Sequence, residues 1–349
     1  MDHTDWEDAS PISSESFRNT LLNRPPVRTK NLQFLLIHDE HNAIVGGTSM
    51  TDLFWTGALW YFNDISELDR KKAAITQELD TGVCDAVYLN ENKFVVVDDS
   101  GAVQIFDIMT DNSPEQPAQF LSVAYACQHD SSALTVSLFP DKKNIITAGM
   151  DYCIKVWDLE ELIATHTFHY AHTDIVTSVD VKPTCNHIAA SAGLDGESLL
   201  WDVRCSKAVQ VLYSKSGSQL TAVTWNTNVD HLVAIGAEDG TVMLVDVRRT
   251  DVESPDVWTK CDRGVHKLLF NPNPEKKDQL ACCFNNTTVN VFDSYRELLE
   301  IYKDDGHSDF VRGLAWHKDD LFSCSWDGTV NKHVISSDDD TKSDKNNGD

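Results

Sequence analysis

Short runs of β-branched and aromatic residues alternate with polar ones along this chain, as in Thr329, Val330, Asn331, Lys332, His333 and Val334. A period of two is that of a half-buried strand, and the runs are bounded by Asp-Gly turns, which is hairpin chemistry. One unit recurs: an acidic turn, a short strand, an aromatic position and then Asp. It runs from Asp151 to Trp157 and Asp158, from Asp195 to Trp201 and Asp202, from Asp239 to Val245 and Asp246, and from Asp327 to His333 and Val334. The residues in the final Asp position are Asn63, Asp107, Asp158, Asp202, Asp246, Asp293 and Val334, separated by 44, 51, 44, 44, 47 and 41 residues. Helical repeat pairs of similar length need apolar residues at i, i+3 and i+4, which these runs lack. Seven such units predict an all-β chain folded as a seven-bladed propeller from about Asn31 to Ile335.

A period of about 40–45 residues with a Trp-Asp signature is that of the WD repeat. Such blades can bury a hydrogen-bonded set of four: a His before the inner strand, a Ser or Thr in the second strand, the turn Asp and the Trp. Blade three offers His129, Thr147, Asp151 and Trp157, and blade four offers His172, Ser191, Asp195 and Trp201. Blade seven has His307, Ser323 and Asp327 but puts His333 in the Trp place, and blade five lacks the His and has Val245 for Trp. A His–Ser–Asp trio also resembles a hydrolytic triad. Recurrence in several blades favours structure, because an active site would occur once and buried polar groups must be paired.

The last blade has candidates for three strands only. Residues 25–30 are expected to supply the fourth, pairing the two ends of the chain so that no sheet edge stays open. The domain reading is therefore a flexible arm over residues 1–24, the closed propeller over 25–335 and an acidic disordered tail over 336–349. Asp111-Asn-Ser-Pro-Glu-Gln-Pro117 accounts for the longest gap and should lie between the third and fourth strands of blade two; Asn271 to Asp278 is a similar insertion in blade six.

Composition narrows the function. The net charge is −26, of which residues 1–30 carry −1 and residues 336–349 carry −3, so −22 belongs to the propeller. Such a surface repels nucleic acid and anionic membrane and attracts basic proteins at long range. Nine expected turn carboxylates fall on one face: Asp98, Asp99, Asp130, Asp174, Glu197, Glu238, Asp304, Asp305 and Asp309. Asp130, Asp174 and Asp309 can instead cap local turns, and taken singly each carboxylate is better explained by such a role than by ligand binding. Nine cysteines without a Cys-x-x-Cys spacing suit neither a disulfide framework nor a zinc site, and read as small core residues in a reducing compartment. The sequons at Asn285 and Asn286 are then chance. No run approaches membrane-span length, and the acidic start is not that of a signal peptide.

No P-loop, dinucleotide fingerprint, nucleophile elbow or His-Glu-x-x-His motif is present. His38-Asp39-Glu40-His41 sits between strands, whose alternation would splay these side chains, so a solvated turn is the better reading than a metal site. No catalytic residue, cofactor or metal is expected. The aromatic cluster of blade one is the exception to this plainness. Aligned on the other blades, Gly57 takes the turn Gly place and Phe62 the Trp place, which leaves Trp55 at the turn tip, with Phe54 and Asp52 beside it. A Trp exposed at a tip is an interface anchor unless it folds back onto its own blade.

The propeller resembles the methylosome WD-repeat family, in an invertebrate-type form. The resemblance is carried by Trp55-Thr-Gly-Ala-Leu-Trp60, Asp99-Ser-Gly-Ala-Val103, Cys153-Ile-Lys-Val-Trp-Asp-Leu159, His307-Ser-Asp-Phe-Val-Arg312 and Ser325-Trp-Asp-Gly-Thr-Val-Asn-Lys-His-Val334. In the last, Trp326 beside the turn Asp and His333 in the Trp place depart from a generic blade in the family's manner. The resemblance implies a non-enzymatic adaptor in a hetero-oligomer with the type II protein arginine methyltransferase, docking through Trp55 and presenting Arg-rich substrates such as histone tails and Sm proteins, in cytoplasm and nucleus. The alternative is a substrate receptor for a cullin-type ubiquitin ligase, on the Trp201-Asp202-Val203-Arg204 sequence. A propeller enzyme is a third reading, disfavoured for want of a converging polar site.

Overall fold

A computed structural model describes residues 29–38, 42–51, 54–110, 118–249, 255 and 257–335. Within them lie 27 strands in seven antiparallel sheets, each a simple meander. Blades one to six have four strands and span Asn31–Leu79, Val83–Cys127, Ala133–Phe168, Val176–Ser214, Leu220–Lys260 and Val265–Asp304; the last has three, from Val311 to Val334. The inner strand of each blade lines a central channel, and successive blades bury their facing sides against each other. Trp157 of blade three closes on Val95, Val97 and Ile105 of blade two, and Trp201 of blade four on Phe168 and Ile154 of blade three. The aromatic position of the repeat is thus the wedge between blades, which is why it recurs.

The ring closes between blades one and seven through Leu32, Val45, Trp60 and Phe62 against Phe322 and Cys324. Arg70, in the long link after the third strand of blade one, clasps the seam: its Nη1 donates to the Thr29 carbonyl at 2.7 Å and its guanidinium lies 5.6 Å from the Trp60 ring centre. Of the expected closing strand, residues 25–28 lie outside the described residues. Thr29 and Lys30 lead into the first strand, and the Lys30 carbonyl oxygen comes within 3.2 Å of where a Gly328 Cβ would stand. Lys215 and Cys261, the residues directly after the fourth strands of blades four and five, hold the same place over Gly196 and Gly240. Lys30 therefore sits where a residue ending a fourth strand belongs. If residues 25–28 close the outer edge of Val330–Val334, deleting residues 1–28 lowers the melting temperature by many degrees. An unchanged melting curve contradicts closure by this segment.

Two sequence expectations change here. The blade-one hairpin does not turn at Gly57: Ala43–Thr51 and Phe54–Phe62 pair through nine rungs, with Thr48 opposite Gly57 and Met50 opposite Trp55. The hairpin continues past the level at which other blades turn, helped by Thr48 Oγ1 donating to the Thr56 carbonyl and Thr56 Oγ1 to the Ser49 carbonyl. Trp55 therefore stands on a projecting two-stranded arm rather than at a turn tip. The cysteines divide: Cys153, Cys282, Cys283 and Cys324 are buried as expected, whereas Cys127 and Cys205 are exposed and the other three are partly so. The blade-two insertion falls between Ala102–Met109 and Gln119–Cys127, as expected, and that of blade six lies between its first and second strands, Val265–Phe270 and Gln279–Phe284. Residues 111–117 themselves lie outside the described residues, as do 39–41 of the His-Asp-Glu-His stretch.

Candidate protein-interaction face

The buried polar sets assemble. In blade four, His172 Nδ1 lies 3.0 Å from the Asp195 carboxylate, His172 Nε2 2.7 Å from Ser191 Oγ, and Trp201 Nε1 donates to Ser191 Oγ at 2.8 Å. Blade three repeats this with His129, Asp151, Thr147 and Trp157 at 2.9, 2.7 and 2.8 Å. The network assigns the tautomer: Nδ1–H donates to Asp, and Nε2 accepts from the hydroxyl. Burial raises the Asp151 and Asp195 pKa values, but the hydrogen bonds from His and backbone outweigh it and leave both below 3.8. The distances are those of a hydrolytic triad, yet the Ser191 hydroxyl has no solvent exposure and is capped by an indole. No substrate carbonyl can reach it, so the set is a structural pin.

Blade seven lengthens the chain. His333 Nε2 lies 2.8 Å from Ser323 Oγ, which meets His307 Nε2 at 2.8 Å, and His307 Nδ1 meets Asp327 at 3.0 Å. His333 Nδ1 accepts from the hydroxyl of Tyr302, in the outer strand of blade six, at 3.1 Å. His333 thus does the work of a Trp and also ties two blades together. This relay needs a neutral imidazole. Burial holds the His333 pKa below 6.5 against the pull of Asp304, and burial followed by the Arg312 charge holds His266 well below it. Both take up a proton more readily unfolded, so they contribute stability that is present above about 6.5 and lost as pH falls toward their folded values. The melting temperature should fall between pH 7.5 and 5.5, and His333→Trp should flatten that slope; an identical slope in the variant contradicts the assignment.

The central channel, of about 890 Å³, is lined by the inner strands. Lys267 of blade six and Asp85 of blade two pair across it at 3.3 Å. Burial pulls the Lys267 pKa down, and the Asp85 carboxylate more than offsets this. Asp180 faces the channel from blade four, its pKa raised by burial although Trp225 N–H, Ser137 and Thr224 all donate to it.

One end of the ring carries the second-to-third turns and the links between blades, and topology puts all nine expected carboxylates there. Asp98 accepts from Ser100 and Ala102 N–H, Asp174 from Ile175, Asp304 from Gly306 and Asp309 from Phe310, which are turn-capping roles. Glu197 takes the Ser214 hydroxyl and Asp99 the Cys84 thiol. The carboxylates of Asp130, Glu238 and Asp305 make no hydrogen bond or ion pair among the described residues, although Glu238 adds to the field at Arg312. At this end Trp55 borders the channel mouth, 46% exposed, with Met50 opposite it on the arm, 60% exposed. Phe54 opens the same strand, and Asp52 lies outside the described residues.

Sequence reasoning missed what Trp326 does. Its ring meets that of Phe310 edge-on at 5.5 Å, and the Arg312 guanidinium lies 4.5 Å from the Trp326 and 5.1 Å from the Phe310 centroid. Arg312 Nη1 reaches His266 Nδ1 at 2.9 Å and Asn285 Oδ1 at 3.0 Å, while burial lowers its pKa. Only the spacing of Phe310 and Arg312, both on one strand side, hinted at this cluster.

A four-stranded meander repeated around a channel and pinned by buried His–Ser/Thr–Asp–Trp sets defines a WD-repeat β-propeller. The model of the WD domain, G-beta repeat, matches residues 122–158, 162–202 and 298–341. Within that class the chain is similar to Methylosome protein WDR77 of Xenopus laevis, 28% identical over 299 residues that cover 84% of this chain and 86% of that one. Among solved structures, a chain of the outer coat vertex of COPII on membranes superposes with a TM-score of 0.74 at 16% identity, over 88% of this chain and 85% of that one. A chain of the COPII coat assembled on membranes does so with the same score and identity, over 47% of its length. These two show the fold alone.

Proposed function

We propose that this protein is a non-enzymatic adaptor of a protein arginine methyltransferase complex. It docks on the type II methyltransferase through the arm that bears Trp55 and presents basic, Arg-rich substrates such as histone tails and Sm proteins, in cytoplasm and nucleus. The observation that carries the reading is Trp55 itself: a half-exposed indole held on a projecting hairpin beside an exposed Met50, at the channel mouth of a chain similar to a methylosome protein. Large exposed side chains held on rigid elements make interface hot spots. The sealed serines and threonine of the His-containing sets support a role without catalysis.

The ligase-receptor reading loses its hook. Arg204 folds back on Asp202 through Nε at 2.8 Å and Nη2 at 2.5 Å, and this arginine holds the Asp202 carboxyl down at about 2. Arg248 closes on Asp246 in blade five in the same way. The pair is a repeated turn lock. A pull-down from cell extract should retain the methyltransferase; recovery of a cullin adaptor in its place contradicts the proposal. Changing Asp130, Glu238 and Asp305 to Lys should slow capture of a histone tail and flatten its salt dependence. Unaltered turnover on the tail at low salt would mean that these charges serve solubility only.

A further inference from the structure

Blade three breaks a rule that four other blades keep. The position five residues before the Trp place is Gly101, Gly196, Gly240 and Gly328 in blades two, four, five and seven, all left-handed with φ between 82° and 86°. The turn demands that conformation, and glycine adopts it without cost. Blade three puts Tyr152 there, at φ 63°. The next link holds Tyr170, also left-handed at φ 53°, and these are the two aromatic residues with positive φ among the described residues. L-residues other than Gly, Asn and Asp are disfavoured there, and such strain gathers where function needs it.

The fold gives neither tyrosine anything in return. Tyr152 is 37% and Tyr170 81% exposed, and neither ring nor hydroxyl has a partner among the described residues. They are nevertheless neighbours. The strand pairing ends at Ile154 and Phe168, and just beyond it the Tyr170 backbone N–H donates to the thiol of Cys153, the residue after Tyr152. Cys153 Sγ also lies 3.8 Å from His169 Nδ1, next to Tyr170. Asp130 joins the group: its backbone N–H donates to Asp151 Oδ2 at 3.2 Å, next to Tyr152, and its exposed carboxylate is unpaired.

The geometry points to a seat for an arginine side chain of a basic peptide segment, built from Tyr152, Tyr170 and Asp130. A planar guanidinium stacks on an aromatic face while donating to a carboxylate, and it is less tightly hydrated than an ammonium, so arginine fits this pairing better than lysine. A propeller carrying −22 steers cationic segments toward it. The seat rests on the reading that this protein presents basic, Arg-rich substrates, but it lies on blade three, apart from the Trp55 arm on blade one, and does not depend on methyltransferase docking.

The test is titration of the full chain, at low salt, with a capped peptide of alternating glycine and arginine and with its glycine–lysine counterpart. Tyr152→Gly installs the residue that four blades use, so its melting temperature should be no lower than that of the wild type. Its affinity for the arginine peptide should nevertheless fall about tenfold, as should that of Tyr170→Ala. The lysine peptide should bind the wild type several-fold more weakly, and Trp55→Ala should bind the arginine peptide as the wild type does. Unchanged affinity in Tyr152→Gly, a lowered melting temperature in that variant, or equal binding of the two peptides overturns the inference. Loss of peptide binding in Trp55→Ala alone would place the site on blade one and overturns it equally.

Discussion

Trp55→Ala is expected to weaken binding to the methyltransferase by about 2–4 kcal/mol, roughly 30- to 700-fold in Kd, and to leave the melting curve unchanged. The two halves of this result have separate causes. Trp55 lies on the part of the hairpin beyond the buried rungs that end near Ala58 and Leu59, so its removal opens no cavity in the core. Its exposed indole, with Met50 across the strand pair, is instead the surface a partner would bury. Equal binding by variant and wild type in a calorimetric titration would remove the anchor. A fall in melting temperature would show that the indole folds onto its own blade.

His172→Ala should have the opposite profile, costing about 3–5 kcal/mol of stability through the lost imidazole volume, the Ser191 hydroxyl left without an acceptor and the Asp195 carboxylate left chiefly with backbone donors. His172 is almost wholly buried, and each of its ring nitrogens has one protein partner, so water cannot take over. Denaturant unfolding measures this directly, and a loss below about 1 kcal/mol would mean that the set is not a structural pin.

These two residues also mark how far the sequence was legible. The pinned sets could be read because burying His, Ser and Asp demands reciprocal partners, and the chain repeats those partners at one spacing in blades three and four. Gly57 misled because counting back from the Trp place assumes that every hairpin turns at the same level. Period-two alternation continues through Ser49, Met50 and Thr51, so nothing local distinguishes a longer arm from a turn. Blade seven was partly legible: His333 stood out in the Trp place, but its partner Tyr302 comes from the neighbouring blade, and no strand pattern reports a contact between sheets. Arg312 is a similar case, reaching His266 and Asn285 of blade six. Tyr152 occupies a glycine place at a fixed spacing from Trp157, but its left-handed φ and its nearness to Tyr170 belong to the fold alone.

Asp130, Glu238 and Asp305, whose carboxylates make no hydrogen bond among the described residues, lie at the same end of the ring as the aromatic channel mouth. That coincidence suits an adaptor, which needs a firm contact for the enzyme and a steering field for basic substrates. Co-purification of this chain with the type II methyltransferase, followed by mass measurement of the complex, tests the account most directly. A stable assembly containing both proteins, lost with Trp55→Ala, is expected; elution of this chain free of the methyltransferase would contradict the adaptor role.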